Sequence, residues 1–394
     1  MAHGFALIDC NDFYVSCERA FDPALRGRAV VVLSNNDGCV ISRSEEAKAA
    51  GIRMGAPLFE AARAVEEHGV EVFSSNYSLY GDMSGRLFEV LEGFTPEIER
   101  YSIDEAFLRV EATCEGKARE AADAMRERIL KWTGLPVTVG VGPTKTLAKL
   151  AARVAKRSER ARGFVNLTSP VYLKEALARV RVEDVWGVGP ARARVLRGAG
   201  VATALDFSRA DEHWARARLG VVGARILNEL RGVPCLPLEI APRPRRSVTS
   251  SRSFGRPVVA LAELCESVAF HVTRAAEKLR RAGLAATALL VFVETGRFSR
   301  GPQHSGSASA ALPVPTALIT ELVAYARACA ERAYREGFEY KKAGVMLLDL
   351  VPESPAQAGL FDARDRERHR RVMRAVDEIN RLMGRGTVRT AAEG

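Results

Sequence analysis

Short apolar runs and helix-like patterns alternate over the first 160 residues. Two continuous apolar runs, Phe5–Asp9 and Ala29–Leu33, are typical of buried strands. Two more strands, Glu97–Tyr101 and Ala106–Val110, flank the polar tip Ser102–Glu105, which predicts a hairpin. The remaining patterns of this region predict helices at 43–50, 77–91, 117–131 and 144–156 and a strand at 136–141. This order predicts a mixed α+β fold around an antiparallel sheet.

From residue 166 onward the sequence pattern has three successive parts, which are a helical region, a proline-rich linker and a second mixed region. Residues 166–232 are mostly helical in pattern and hold the glycine-rich turn Trp186–Pro190. Residues 233–246 contain four prolines and few helix signals, so we interpret them as a linker. Beyond it, helices are predicted at 263–281 and 315–336, strands at 287–294 and 343–350, and a basic helix at 365–383. Residues 247–350 therefore predict a separate, small α+β domain.

The unequal distribution of charge adds a functional indication to this pattern. The chain of 394 residues has a formal net charge of +10. Residues 1–110 carry 10 Lys and Arg against 18 Asp and Glu, whereas residues 111–250 carry 26 against 14. Such a basic region is typical of proteins that bind a polyanion, and the acidic region beside it is a candidate for catalysis. Solvated charged faces remain the alternative explanation of these totals.

Cysteine spacing and hydropathy argue against a disulfide-bonded, zinc-ribbon, secreted or membrane-spanning protein. Seven cysteines are scattered and no two form a CxxC pair, which argues against a zinc ribbon or a disulfide framework. The N-terminus has neither the charged region nor the long apolar region of a signal peptide. The longest apolar stretch, Leu284–Val293, is about half as long as a membrane span. We therefore expect a cytoplasmic protein with reduced thiols and no membrane contact.

Three carboxylates stand where predicted strands begin or end. Asp9 closes the first strand, and Asp104 and Glu105 lie at the hairpin tip. Like charges in a water-poor site are costly unless cations neutralise them, and carboxylate oxygens are ligands that Mg²⁺ prefers. Two such ions form the clamp used for in-line phosphoryl transfer. From the spacing alone, acids on exposed surface turns remain the alternative interpretation.

The strings that contain these acids resemble one enzyme family. Asp9–Tyr14 (DCNDFY) and Tyr101–Phe107 (YSIDEAF) are similar to signatures of the Y-family, or translesion, DNA polymerases. Further matches follow in chain order: VVLSNNDGCV at 31–40, SSNY at 74–77, VGVGPTKTLAK at 139–149, VWGVG at 185–189 and SRSFG at 251–255. The variants LSNNDGCV and SSNY resemble the UmuC branch, the catalytic subunits of bacterial DNA polymerase V. The resemblance covers residues 4–390, nearly the whole chain.

The resemblance implies an α+β multidomain protein shaped as a right-hand polymerase. Its parts would be a ferredoxin-like palm, small fingers, a helical thumb with a helix-hairpin-helix, and an α+β little finger. The implied bounds are palm 1–22 and 76–165, fingers 23–75, thumb 166–232, linker 233–246, little finger 247–351 and tail 352–394. The implied activity is template-directed, low-fidelity DNA synthesis across damaged bases, in DNA repair and the SOS response.

The resemblance also implies the metal ligands. Asp9, Asp104 and Glu105 would hold two Mg²⁺ ions, with the backbone carbonyl of Cys10 as a further ligand. One ion would lower the pKa of the primer 3′-hydroxyl, and the other would neutralise the triphosphate and the leaving pyrophosphate. All three acids of the family pattern are therefore present in this chain.

The nucleotide contacts implied by the resemblance come from two regions. Tyr14 would act as the steric gate that excludes a ribose 2′-hydroxyl, with Phe13 packed beside it. The implied contacts to the triphosphate are Ser42, Arg43, Lys48 and Lys156. Glu45 and Lys48 stand where many family members carry Tyr and Arg, and a lysine offers a point charge instead of a bidentate fork. The residue that makes the main γ-phosphate contact is therefore left open.

Glycines and cations of the basic region are candidates for gripping DNA. A GxG turn between helices lets backbone N–H groups approach phosphate, although a GxG alone is more often only a turn. The implied DNA-binding residues are Lys145, Lys149, Gly187, Gly189 and Arg252. Contacts to phosphate fix position without reading sequence, which suits a template-directed enzyme.

The C-terminal tail holds a candidate motif for binding the sliding clamp. Gln357, Leu360 and Phe361 belong to the string QAGLFD, which resembles the bacterial clamp-binding motif and can place two apolar side chains in a groove. The implied partners are primer-template DNA, a dNTP and the sliding clamp. UmuC-type chains commonly extend further through a tail linked to UmuD′, so dependence on UmuD′ and RecA is left open by residues 387–394.

Two alternatives to a translesion polymerase share some of these features. Another two-metal palm enzyme, such as a nucleotidyl cyclase, would need the acids but neither a large basic region nor a clamp peptide. A non-catalytic DNA-binding mutasome subunit would need the basic region, but not Asp9, Asp104 and Glu105. Primer extension with Mg²⁺ distinguishes the three.

Overall fold

The computed structural model describes residues 3–34, 38–111, 115–241, 244–296, 298–299, 301–353, 366–384 and 386–393. The chain forms two compact units, residues 1–242 and residues 243–394. Within the described ranges, no helix combines the length and apolarity that crossing a bilayer requires. The finer bounds of palm, fingers, thumb, little finger and tail stay predictions.

Two sheets lie in the first unit. Their strands are β1 (His3–Cys10), β2 (Val30–Leu33), β3 (Val40–Arg43), β4 (Glu71–Ser74), β5 (Ile98–Arg100), β6 (Glu105–Glu111), β7 (Val137–Gly142) and β8 (Phe164–Asn166). The larger sheet has the order β5-β6-β1-β7-β8, with antiparallel pairs except for β7 and β8. The smaller sheet has the order β3-β2-β4. Since β1 lies at the centre of the larger sheet, its last residues have a strand on both sides.

The helices of the first unit are α1 (Phe13–Phe21), α2 (Glu45–Ala49), α3 (Leu58–Glu67), α4 (Tyr77–Glu92), α5 (Glu115–Thr133), α6 (Lys145–Arg157), α7 (Pro170–Arg179), α8 (Pro190–Gly198), α9 (Ala204–Arg209) and α10 (Glu212–Leu230). The strands and helices predicted in residues 1–165 are confirmed within a few residues at their ends. The helix predicted at 43–50 begins later, because Arg43 ends β3 and the Ser44 side chain caps α2.

A glycine in β7 sets the position of α6. A Cβ atom on Gly140 would lie 2.2 Å from the backbone N of Ala152 and 2.3 Å from the carbonyl oxygen of Ala148. No other residue type allows so close an approach of helix backbone to strand. The close packing carries the cations of α6 towards the end of β1 at which Asp9 lies.

The second unit is one four-stranded antiparallel sheet packed against helices. The strands are β9 (Ser247–Val258), β10 (Leu284–Thr295), β11 (Ser305–Thr316) and β12 (Tyr340–Pro352), in the order β11-β10-β12-β9. The helices are α11 (Leu261–Arg281), α12 (Ile319–Ala333) and α13 (Arg366–Leu382). The first two bury their apolar faces on the sheet.

Three details of the second unit differ from the sequence prediction. The pattern did not indicate β9 or β11, whose sequences are rich in Ser, Gly and Pro. The helix predicted at 315–336 spans only 319–333, because residues 315 and 316 finish β11, where Thr316 pairs with Ala286 of β10. Seven consecutive register pairs, from Ala288 with Ala311 to Glu294 with Ser305, hold most of β11 against β10, so tertiary pairing outweighs local propensity here.

Candidate active site

The three predicted carboxylates come together at one edge of the larger sheet. Asp9, the penultimate residue of β1, is the register partner of Glu105, the first residue of β6. The backbone N–H of Cys10 donates to the carbonyl oxygen of Asp104 across 3.0 Å, which extends the pairing by one residue. The hairpin between β5 and β6 therefore places its acids beside the end of β1.

Lysines from α6 contact two of these acids. The Nζ atom of Lys156 lies 2.6 Å from Oδ1 of Asp9, and Nζ of Lys149 lies 3.0 Å from Oε2 of Glu105. The Asp104 carboxylate instead accepts a hydrogen bond of 2.6 Å from the Ser102 hydroxyl. These contacts hold the carboxylates as a largely compensated, hydrogen-bonded set.

Burial makes Asp9 unusually hard to ionise. The pKa of Asp9 is raised from 3.8 to about 6, mainly by removal from water and to a smaller extent by the negative charges of Glu105 and Asp104. The ammonium of Lys156 opposes this shift and does not cancel it. A carboxylate in this state gains from any additional cation that approaches it.

The chemistry of the donor set fits a hard divalent cation. Among the described residues, no three His, Cys, Asp or Glu side chains are arranged as a ready metal-ligand cluster. However, Asp9, Asp104 and Glu105 offer carboxylate oxygens, and their mutual repulsion favours a cation. Burial raises the pKa of the Cys10 thiol well above its ordinary value, so Cys10 could contribute only a backbone oxygen.

The predicted steric-gate residue belongs to an aromatic cluster at the start of α1. The ring of Tyr14 stacks on Tyr80 of α4, with ring centroids 4.4 Å apart. Tyr77 meets Tyr14 edge-on at 6.1 Å, and the buried ring of Phe13 lies 5.6 Å away. Asp12, just before α1, adopts a left-handed backbone with φ of 44° and turns the chain sharply between Asp9 and Tyr14. Local strain of this kind is common at functional sites.

The predicted triphosphate contacts on the fingers side fall into two kinds. Lys48 of α2 reaches Oδ1 of Asp12 and Oε1 of Glu45, each at 2.7 Å, so its ammonium faces the start of α1. Ser42 is buried and its hydroxyl accepts from the backbone N–H of Val15 at 3.4 Å, which is a structural contact.

Arg43 keeps part of its hydrogen-bonding capacity unused. One terminal nitrogen donates to the Ile52 carbonyl oxygen. Its Nε is buried and has no hydrogen-bond partner among the described residues. A buried donor of this kind is costly, and an anion could use it.

Lys145 differs from the prediction that it contacts DNA. Its side chain is only 4% exposed, forms an ion pair with Glu99 and donates to the carbonyl oxygen of Pro237 at 2.6 Å. Glu99 also accepts from the backbone N–H of Glu239. The contacts join the palm sheet to residues 237–239, so Lys145 is a structural cation and does not offer its charge at the surface.

The remaining predicted DNA contacts lie apart from one another in the chain. Gly187, with φ of +86°, and Gly189, which precedes the first turn of α8, form the predicted turn in the first unit. Arg252 is exposed on β9 in the second unit. The predicted clamp-binding residues Gln357, Leu360 and Phe361 lie outside the described residues.

Two aromatic residues that sequence reasoning did not assign lie at the site. Tyr101 precedes the hairpin tip and Trp186 precedes Gly187, and their rings meet beside Lys149. Both stood within the strings that carried the family resemblance, which was the only signal available. Nothing in the sequence could indicate that residues 85 positions apart would touch.

Models of protein families match most of the chain. The impB/mucB/samB family matches residues 8–153, and the C-terminal domain of that family matches residues 245–360. A domain of unknown function (DUF4113) matches residues 370–394.

Curated relatives and solved structures agree with these matches. Protein UmuC of Salmonella typhimurium strain LT2 is 42% identical over 99% of this chain and 93% of its own length, and Protein ImpB of Salmonella typhimurium is 41% identical with the same coverage. A DNA polymerase IV of Desulfatibacillum aliphaticivorans is 30% identical over 98% of this chain and 95% of its own. A Y-family DNA polymerase chimera has a similar fold, with a TM-score of 0.71, 19% identity, and coverage of 89% and 99%. The predicted fold class, that of a Y-family DNA polymerase, is thereby confirmed, and the chain belongs to the impB/mucB/samB family.

Proposed function

We propose that this chain is a template-directed DNA polymerase of low fidelity that adds deoxynucleotides opposite damaged template bases in the SOS response. The observation that carries the proposal is the pairing of Asp9 with Glu105 at the sheet edge, with cations of α6 on both. Its relatives are named UmuC, ImpB and DNA polymerase IV. A non-catalytic subunit would need none of Asp9, Asp104 and Glu105, which converge at this edge.

Asp9, Asp104 and Glu105 would hold two Mg²⁺ ions, with the Cys10 carbonyl oxygen as a further donor. When bound, these ions acidify the attacking hydroxyl and neutralise charge on the phosphates. The chain itself supplies the rigidity: register pairing fixes Asp9 against Glu105, and the Ser102 hydroxyl orients Asp104. Preorganised ligands of this kind avoid reorganisation during the reaction.

Lysines that now contact carboxylates would bind the incoming triphosphate. Lys156 contacts Asp9 at 2.6 Å, and an anion can exchange for that acid once cations occupy it. Lys48 contacts Asp12 and Glu45, each at 2.7 Å, and could add a phosphate oxygen to these partners. Arg43 would add its unused Nε. The exchange keeps each ammonium paired throughout, which lowers the cost of burying the triphosphate.

Tyr14 would discriminate the sugar. Stacking on Tyr80 and the edge contact with Tyr77 hold its ring in one orientation. A wall that cannot move rejects an added hydroxyl by steric clash, whereas a mobile ring would yield to it.

Primer-template DNA would be held through phosphate contacts at the turn of Gly187 and Gly189 and at Arg252. Binding of this kind weakens steeply as salt concentration rises.

We further propose that the protein acts in the cytoplasm and binds the sliding clamp through Leu360 and Phe361. UmuD′ and RecA are further candidate partners. Replacing Leu360 and Phe361 with Ala should abolish stimulation by the clamp and leave basal extension unchanged. If the clamp stimulated the wild type and the double Ala variant equally, Leu360 and Phe361 would be excluded as its binding motif.

Primer extension with Mg²⁺, primed DNA and four dNTPs tests the proposed function. The wild-type chain should extend the primer according to the template, and Asp104→Ala should bind the primer-template and fail to extend it. Asp82→Ala is a matched control, because this acid is exposed on α4 and its ion pair is with Arg86 of the same helix. DNA binding without extension by the wild type would favour a non-catalytic subunit. A cyclic nucleotide product would favour another palm enzyme.

A further inference from the structure

An aromatic cage surrounds the ammonium of Lys149. Its Nζ atom lies 4.4 Å from the ring centroid of Tyr101 and 5.3 Å from that of Trp186. The same atom contacts Oε2 of Glu105 at 3.0 Å. Only 24% of the Lys149 side chain and 15% of the Glu105 side chain are exposed. A cation enclosed by two ring faces and a carboxylate has little freedom left to reach a DNA phosphate.

The two rings of the cage fix each other. The indole N–H of Trp186 donates to the Tyr101 hydroxyl at 3.2 Å, and the ring planes meet at 89° with centroids 5.5 Å apart. The fully buried ring of Phe107 lies beneath both, 5.4 Å from Tyr101 and 6.0 Å from Trp186. Edge-to-face pairs with a hydrogen bond have a defined geometry. The cage is therefore a rigid seat for the ammonium.

The cage joins the catalytic hairpin to the glycine turn. Tyr101 adjoins the hairpin tip that carries Asp104 and Glu105, whereas Trp186 directly precedes Gly187. A Cβ atom on Gly187 would lie 2.8 Å from Cδ1 of Ile226, so α10 restrains this turn from the other side.

An ionic cluster ties the same turn to α6. Asp184 is 12% exposed and forms ion pairs with Arg153 and Arg157 of α6 and with Arg181. Since α6 also carries Lys149, the helix both supplies the caged cation and holds, through Asp184, the segment that carries Trp186. The arrangement gives the turn a direct mechanical connection to Glu105.

We infer that Trp186 and Tyr101 are positioning residues, which seat Lys149 so that its ammonium orients Glu105 for nucleotide addition. The inference rests on the proposed polymerase function. On this inference Lys149 orients a metal-binding carboxylate and does not contact DNA. It therefore contributes to the rate of nucleotide addition and not to the affinity for DNA. Positioning contacts around metal-ligating groups typically change activity by about 10–100-fold when removed.

A double-mutant cycle between Trp186 and Lys149 tests the inference. The variants are Trp186→Ala, Lys149→Met and the double variant, each measured for the maximum rate of single-nucleotide addition, the Kd for primer-template and the Tm. We expect each single variant to lose about tenfold in rate with Kd unchanged, and the double variant to be no slower than Lys149→Met. The inference would be overturned if the loss in rate of the double variant equalled the product of the two single losses. A change confined to Kd or Tm, with the rate unaffected, would also overturn it.

Conservative and distant variants complete the test. Trp186→Phe keeps a ring over Lys149 and should retain most of the rate, which separates the cage from mere folding of the turn. Trp132→Ala removes an indole that is 64% exposed on α5, and should leave the rate unchanged. Inactivity of the wild type would contradict the proposed function itself, whereas an active wild type with an additive cycle contradicts only the cage.

A spectroscopic readout is independent of catalysis. In a protein with Trp132→Phe and Trp214→Phe, the emission reports Trp186 alone, since the chain has three tryptophans. Lys149→Met should shift that emission because it removes the ammonium from the indole face. An identical spectrum would show that the two side chains do not interact in solution, and would overturn the inference.

Discussion

The rings of Tyr14 and Tyr80 stack with their centroids 4.4 Å apart and their planes inclined by 24°. Tyr80 is fully buried, and its hydroxyl donates to Oε1 of Glu18 at 2.7 Å. The supporting ring is therefore fixed at both ends, by packing and by a hydrogen bond. Tyr14 is only partly buried and takes its orientation from this support.

Replacing Tyr14 with Ala should admit ribonucleotides. The substitution removes the wall against which a 2′-hydroxyl would clash, and we expect the preference for dNTP over rNTP to fall by roughly tenfold or more. Single-nucleotide incorporation with matched dNTP and rNTP measures this ratio. Tyr14→Phe keeps the ring and should keep the preference. Unchanged sugar discrimination in Tyr14→Ala would exclude Tyr14 as the gate.

Removing the charge of Lys145 should destabilise the protein. Lys145→Met leaves the Glu99 carboxylate buried without its cation, which typically costs about 3–5 kcal/mol in the free energy of unfolding. Urea unfolding measures the loss. The double variant Lys145→Met with Glu99→Leu should be more stable than the sum of the single effects predicts. A stable Lys145→Met protein with weakened DNA binding would instead restore the phosphate contact first predicted for this residue.

Glu229 should be needed to hold residues 233–238 against the rest of the first unit. Its buried carboxylate accepts from the backbone N–H groups of Thr146 at 3.0 Å, Cys235 at 2.6 Å and Leu236 at 3.1 Å. Glu229→Ala leaves these donors unpaired, so we expect a loss of about 3 kcal/mol or more. Limited proteolysis should then cut within 233–241. Glu212→Ala, at a partly exposed site on the same helix, should change stability by less than about 0.5 kcal/mol.

His271 should make the stability of the second unit depend on pH. Burial, with Arg252 of β9 and Lys278 of α11, lowers the pKa of His271 from 6.5 to about 4, and its Nδ1 lies 3.1 Å from the Ser250 hydroxyl. The unfolded chain therefore binds more protons between pH 6.5 and 4, so stability is lost as the pH falls through this window. The loss should reach at most about 3 kcal/mol.

The difference between the wild type and His271→Asn isolates this effect. Urea unfolding at pH 7, 6, 5 and 4 should show the free energies of unfolding of the two proteins converging as the pH falls. The reason is that Asn does not titrate, so only the wild type loses this stability. His213→Asn, at an exposed position of α10, should follow the wild type at every pH. A constant difference between the wild type and His271→Asn over this range would contradict the prediction.

The three acidic residues of the site could be predicted from the sequence, but the side-chain contacts around them could not. Asp9, Asp104 and Glu105 follow from local patterns and family strings, because strand ends and hairpin tips are local features. The burial of Lys145 does not, since its partners Glu99 and Pro237 are 46 and 92 residues away. In isolation α6 is simply a basic amphipathic helix, and nothing local distinguishes the lysine that is buried from those that face the site.

The strands missed in the second unit have a related cause. β9 and β11 alternate small polar residues with few large apolar ones, so their period-2 signal is weak. Each gains its structure from a neighbour, β12 and β10 respectively. The contact of Trp186 with Tyr101 is beyond sequence reasoning for the same reason, because it is formed between distant segments.

The central place of β1 has a consequence for synthesis on the ribosome. This strand is made before both of its neighbours, β6 and β7, which follow about a hundred residues later in the chain. At roughly 5–20 residues per second, the apolar run of Phe5–Ile8 stays without a partner for several seconds or longer. Nascent chains released at increasing lengths should protect this run from protease only after residue 142 has emerged. Until then the apolar side chains of β1 have no partner strand to cover them, and they are open to association with other nascent chains.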